Sequence, residues 1–215
     1  MNLTIDIGNT LCKLAVFNIR QIVLQSKCTL NQLKVELLSM HQSFNIERCI
    51  VSSVIEIDKE ILANISGEPP LFFNSQTPIP LKNLYHTPET LGIDRLAAAV
   101  GAEALYPCCH KLVIDCGTAI TLDYVTANSE YMGGNISPGL QLRFRALHEF
   151  TGRLPMLAPD DQFSLIGRST KEALVNGVQN GIIFELDAYI NKFTEMYPGL
   201  QVVLTGGDAI FLLTS

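Results

Sequence analysis

Residues 3–16 read LTIDIGNTLCKLAV, and residues 112–125 read LVIDCGTAITLDYV. In each, an apolar run ends in an aspartate. A glycine turn with small hydroxyl or amide residues follows, and then a second apolar run. That is the pattern of a strand, a tight turn and a returning strand. Leu, Ile, Asp, Gly and a final Val recur at matching places. A repeated supersecondary unit governs architecture. The chain is therefore expected to be a duplicated α/β protein with one aspartate-bearing hairpin in each half.

The segments around the first hairpin extend this reading. Extended runs are expected at 2–6, 12–17 and 20–26. Leu30, Leu33, Val35, Leu37 and Leu38 give 30–41 a helical pattern. RCIVSSV (48–54) reads as a buried strand, 57–65 as a helix and 71–74 as a strand. A Pro-rich loop and a helix over 93–106 follow. The predicted division lies at 110/111, with lobes 1–110 and 111–215.

Composition excludes several classes. Of 215 residues, 47% are hydrophobic and the net charge is −6, so a sizeable core can form. No stripe of Lys and Arg marks a nucleic-acid partner. No run approaches the about 18 apolar residues of a membrane span. The start, MNLTID, has no basic leader, so a soluble, cytoplasmic protein is expected. Six cysteines occur without a CxxC pair, as reduced thiols do. His41, His86, His110 and His148 lack metal-ligand spacing and read as structural or exposed.

A turn carrying Gly8 and Asn9 can aim several backbone N–H groups into one concavity, which cradles phosphate without a basic patch. Asp6 at the strand end can hold Mg²⁺ directly or through water. Thr10 and Lys13 can bond phosphate oxygens. An ordinary hairpin would favour the same Asn and Gly; the second copy, with Asp115, Gly117 and Thr118, shifts the balance toward a nucleotide site. The Gly-x-x-x-x-Gly-Lys-Ser/Thr loop is absent. In LGIDR, Asp94 opens a helix, where a carboxylate answers the macrodipole. Arg95 is either a substrate donor or half of a surface ion pair. Tyr85 alone reads as a half-buried packing residue, and Asp123 as facing solvent or the sheet edge. GGNISPG (133–139) reads as a loop, with Pro138 able to start the next helix. STKE (169–172) is a capping box with Ser169 as N-cap.

Six motifs occur in order: DIGNT (6–10), YHTPETLGIDR (85–95), DCGTA (115–119), GGNISPG, STKEALVNG (169–177) and TGGDA (205–209). Together they resemble the type III pantothenate kinases, which belong with actin, chaperone ATPases and sugar and acetate kinases. Leu147, Thr151, Leu154 and Pro155 fit the family's pattern after Gly139. The resemblance implies two ribonuclease-H-like (actin-like ATPase) lobes with a nucleotide cleft between them, and ATP-dependent phosphorylation of pantothenate, the first step of coenzyme A synthesis. It gives Asp94 the role of general base. ATP would meet Asp6, Ile7, Gly8, Asn9, Thr10, Leu11, Cys12, Lys13, Thr118, Gly206 and Gly207. Pantothenate would meet Val54, Tyr85, Gly92, Ile93, Asp94, Arg95 and Thr170; for Val54 a plain strand role is the equal alternative. Asp6 would serve Mg²⁺ through ATP, and Asp115 a monovalent cation, K⁺ or NH₄⁺. A homodimer is implied, its pocket closed by the second subunit. Family members usually continue past the TGG segment, so either the protein is naturally short or a tail is absent from this sequence. The rivals are another kinase or phosphatase of the superfamily, and a regulator that kept the fold.

Overall fold

The computed structural model describes residues 1–8, 11–63 and 65–209. The chain forms two compact units, Met1–Pro78 and Ile79–Ser215.

In the first unit, β1 (Asn2–Ile7) pairs antiparallel with β2 (Cys12–Asn18), and β2 with β3 (Gln21–Cys28). The chain then crosses through α1 (Leu30–Ser43) to β4 (Arg48–Ser53), parallel to β1, and β5 (Leu71–Phe72) adds to β4. The sheet order is β3-β2-β1-β4-β5. Period-two alternation puts Leu3, Ile5, Ile7, Leu14, Val16 and Val51 on one face. Leu33, Leu37 and Met40, three or four apart on α1, close that face into a core. The expected helix at 57–65 is only a short 3₁₀ turn, Lys59–Leu62, opened by the Asp58 carboxylate accepting from Glu60 N–H.

The second unit repeats the plan. β7 (Lys111–Cys116) pairs antiparallel with β8 (Ala119–Val125), β8 with β9 (Glu130–Pro138), and β10 (Gln201–Thr205) runs parallel to β7. β6 (Lys82–Asn83) adds to β9, giving the order β10-β7-β8-β9-β6. The expected GGNISPG loop is thus mostly strand. Pro138 ends β9, and α3 (Leu140–Glu149) starts after Gly139. α3 and α4 (Thr170–Met196) cover one sheet face, burying Leu112, Ile114, Ile120 and Leu122 against Phe144, Val175, Val178 and Ile182. α2 (Ile93–Leu105) packs on β7 and β8. Alternation along β7 and β8 gives it the opposite face, with Val113, Asp123 and Val125.

The compact units divide at Pro78/Ile79, not at the expected 110/111. The segment 79–110 belongs with the second unit because β6 pairs with β9 and α2 packs on the second sheet. Two buried ion pairs reinforce that attachment. One joins Arg95 to Asp123. In the other, Lys111, fully buried, donates from Nζ to Glu103 Oε2 at 2.5 Å and to the Tyr106 carbonyl at 3.1 Å. Glu103 Oε1 also accepts from the Ser129 hydroxyl at 2.9 Å. At the far end of α4, Tyr197 stacks with Tyr124 and His110, Phe193 is tilted against Tyr124, and the Tyr124 hydroxyl meets His110 Nδ1 at 2.7 Å.

Removing one partner of such a buried pair strands the other charge in an apolar setting. Glu103→Ala is expected to lower the unfolding free energy by about 3–5 kcal/mol in urea melts. The double variant Glu103→Leu/Lys111→Met should recover most of that loss, since it leaves no charge behind.

Candidate functional site

The first aspartate turn lies at the end of β1. Gly8 N–H donates to the Leu11 carbonyl at 3.1 Å. A Cβ on Gly8 would sit only 3.1 Å from that oxygen. Asp6 and Lys13 are register partners across the hairpin. Lys13 Nζ stands 3.8 Å from Asp6 Oδ2, with side chains 65% and 52% exposed. A solvated pair at that distance contributes little to stability and leaves both groups available to a ligand. Ile7 and Cys12 point into the core, so they can offer a ligand only their backbone. Leu11 is exposed. Val54 is exposed and donates its N–H to the Ile7 carbonyl at 3.1 Å, which puts it beside this turn. Asn9 and Thr10 lie outside the described residues.

The second turn has the same plan with one residue fewer. Its strands close at Cys116 and Ile120, against Ile7 and Cys12 in the first. Gly117 N–H donates to Ala119 O at 3.1 Å, and Gly139 N–H to Thr118 O at 3.0 Å. Thr118 is exposed and Asp115 half-buried. Gly206 follows β10 in the left-handed region at φ +97°, and a Cβ there would lie 2.5 Å from Asp115 Oδ1. Asp208 N–H donates to Cys116 O at 2.9 Å. Burial pushes the Asp208 carboxyl above its ordinary value. Asp115, Thr118 and Gly206 are therefore brought together at this turn. Gly207 is exposed, and a Cβ there would meet nothing within 4 Å.

The segment 85–95 forms a third group. Gly92 is the N-cap of α2, and Ile93 its first residue. Asp94, exposed in the first turn, accepts from Arg95 N–H at 2.9 Å. A Cβ on Gly92 would come within 2.5 Å of Asp94 Oδ1, so glycine leaves that carboxylate its room. Tyr85 is half-buried, with its N–H donating to Asn83 Oδ1 at 3.0 Å.

Arg95 is not the surface ion pair expected as its alternative. It is 5% exposed and faces Asp123, itself 1% exposed. Nε lies 3.2 Å from both Asp123 oxygens, and Nη2 2.6 Å from Oδ1. Burial works against the Arg95 charge, but the bonds and charge of Asp123 outweigh it and hold the proton more tightly than usual. The expectation that Asp123 faces solvent or a sheet edge is overturned for the same reason: α2 covers that face and brings a guanidinium to it. Tyr131, fully buried, donates its hydroxyl to Asp123 Oδ1 at 2.7 Å. Burial first, then this bond, raises the Tyr131 hydroxyl above its ordinary value, so it stays a neutral donor. Asp123 and Tyr131 were not singled out as site residues from sequence. The available signal was a carboxylate inside an otherwise apolar strand.

Thr170 is set in the first turn of α4, after Ser169, whose hydroxyl accepts from Glu172 N–H at 3.2 Å. It lines an apolar cavity of about 640 Å³ with Pro138, Arg143, Leu147, Leu154 and Leu174. Among the described residues no cluster of three His, Cys, Asp or Glu could hold a metal ion. No described helix is long and apolar enough to cross a membrane.

Two sheets, each with three antiparallel strands and a fourth running parallel beside the first, define a two-lobed protein of the ribonuclease-H-like class. Solved structures agree. A Campylobacter jejuni protein described as a Baf family transcriptional activator matches with a TM-score of 0.63 at 25% identity, over 98% of this chain and 85% of that one. A Listeria monocytogenes protein described as an N-acetylmannosamine kinase shares the fold with a TM-score of 0.51 at 15% identity, over 96% and 83%. Within that class the chain belongs to the type III pantothenate kinase family, whose family model matches residues 2–192. Relatives named type III pantothenate kinase come from Bacteroides fragilis, 43% identical over 97% of this chain and 86% of that one, and from Flavobacterium johnsoniae, 40% identical over 99% and 88%.

Two buried cysteines adjoin the aspartate turns, which makes thiol reactivity a probe of them. Burial pushes the thiols of Cys49 and Cys116 up to about 12, and those of Cys12 and Cys28 above the ordinary value. A thiol at about 12 is ionised to only about one part in 10⁴ at pH 8. A thiol-specific disulfide reagent at pH 8 should therefore label Cys108 and Cys109 in the native protein and all six cysteines only after unfolding, as read by mass spectrometry. These raised values also favour the folded state fully below the ordinary thiol range, an advantage lost as pH climbs toward 12.

Proposed function

We propose that the chain transfers the γ-phosphoryl group of ATP to the primary hydroxyl of pantothenate, giving 4′-phosphopantothenate and ADP. The observation that carries this reading is the exposed Asp94 carboxylate at the start of α2, in a chain whose named relatives match nearly its full length. Asp94 takes the hydroxyl proton as the alcohol oxygen bonds to the γ-phosphorus and the bond to the bridging oxygen of ADP breaks. The proton then passes to solvent.

The aspartate turns supply the ATP contacts. Gly8, Leu11 and Lys13 serve it from the first, with Asn9 and Thr10, and the backbone of Ile7 and Cys12. Thr118, Gly206 and Gly207 serve it from the second. One carboxylate per site suits cations that take the rest of their ligands from phosphate oxygens and water, as Mg²⁺ does. Asp6 is such a group for Mg²⁺, and Asp115 for K⁺ or NH₄⁺. When bound, these ions would offset phosphate charge where the protein supplies few cations. Tyr85, Gly92, Ile93 and Arg95 contact pantothenate, and Val54 and Thr170 are further contacts. The protein works in the cytoplasm as a homodimer.

The Asp94→Asn variant tests the base. Its turnover should fall about 10²–10⁴-fold in pantothenate-dependent ADP release. Its far-UV circular dichroism and KM for ATP should match the parent. Parent-like turnover would remove Asp94 from the chemistry.

A further inference from the structure

Asp123 is used three times, by Arg95 Nε, Arg95 Nη2 and the Tyr131 hydroxyl. Both of its partners also pack on Tyr85. The Arg95 Cζ lies 5.6 Å from the centre of the Tyr85 ring. The Tyr131 ring lies 6.3 Å from it, tilted by 52°. Beneath the ring is Gly133, buried and at φ +95°, where a Cβ would come within 2.7 Å of Tyr85 Cδ2. The backbone completes the seat: Leu84 N–H donates to the Tyr131 carbonyl at 2.9 Å. A five-residue assembly from three segments, 85, 95 and 123–133, thus fixes one aromatic ring and one guanidinium plane.

Stability alone does not account for it. A buried ion pair is a weak stabiliser, because desolvation takes back most of the attraction. The Glu103–Lys111 pair already attaches the other end of α2. What Arg95–Asp123 adds is orientation, one residue from Asp94.

Resting on the pantothenate kinase reading, we propose that Asp123, Tyr131 and Gly133 are positioning residues for the acceptor, acting through Arg95 and Tyr85. A carboxylate at 123 accepts from both neighbours at once. A carboxamide there carries no charge and must turn its N–H₂ toward Arg95 Nε, the donor to the second oxygen, which loses that bond and swings the guanidinium. Any side chain at 133 must displace the Tyr85 ring. Each change misplaces the acceptor while leaving the two aspartate turns alone.

The test uses the full chain and steady-state ADP release, with pantothenate and ATP varied separately. Asp123→Asn and Gly133→Ala should raise KM for pantothenate about tenfold or more, with KM for ATP within about twofold. Because Asp123 acts through Arg95, adding Asp123→Asn to Arg95→Lys should cost less than about twofold further in kcat/KM. Should Gly133→Ala or Asp123→Asn fail to fold by circular dichroism, Tyr131→Phe, which removes one oxygen, carries the same expectation at about threefold. An unchanged pantothenate KM in the folded variants overturns the proposal, as does equal loss for both substrates or full additivity with Arg95→Lys; the kinase reading then stands. A parent protein that releases no ADP with pantothenate overturns the kinase reading itself, and the proposal with it.

Discussion

A carboxylate in the middle of a covered sheet must be matched or it is expelled, and Asp123 is matched by Arg95 and Tyr131. The second unit is arranged around that requirement. Arg95 can reach Asp123 only if the first turn of α2 lies on β8. The same turn carries Asp94, so the buried pair fixes where the exposed carboxylate begins. Tyr131 reaches Asp123 because β9 follows β8 across a short bend with an irregular register between Tyr124 and Val125. Gly133 then faces Tyr85 instead of presenting a side chain to it. One interior charge thereby sets the helix start, the strand irregularity and the aromatic seat together.

The two aspartate turns show how a duplicated frame diverges in chemistry. Asp6 stands opposite Lys13, whereas Asp115 stands opposite Thr121. The first turn therefore pairs its acid with a mobile ammonium group. The second pairs it with a hydroxyl and places the Gly206 backbone beside it.

Most of the frame was legible in the residues. Apolar runs marked β1, β2 and β4, and helical spacing of apolar residues marked α1. Legibility failed where burial was two-sided or local chemistry was weak. β8 is covered on both faces, so its polar residue at 123 lost the meaning that alternation gives it. Glycines at 133 and 134 suggested a loop, yet Gly133 is in β9 because a side chain there would strike Tyr85. The segment 57–65 has apolar residues at helical spacing, but packing kept only one 3₁₀ turn. The boundary at 110/111 followed the start of the repeat; the contacts follow β6 and α2 instead, and neither announces its partner in local sequence.

The charge balance of the acceptor group ties these points together. The chain is acidic overall, and Arg95 is the cation that the segment 85–95 supplies. Asp123 neutralises that cation before any ligand arrives. Arg95 therefore offers a ligand little net field and much fixed geometry. Selection at this group then rests on shape and hydrogen-bond direction, set by a planar guanidinium and a seated ring. Such selection survives salt, because a buried pair is screened far less than an exposed one. It also leaves the exposed carboxylate of Asp94, the base proposed above, outside that ion pair.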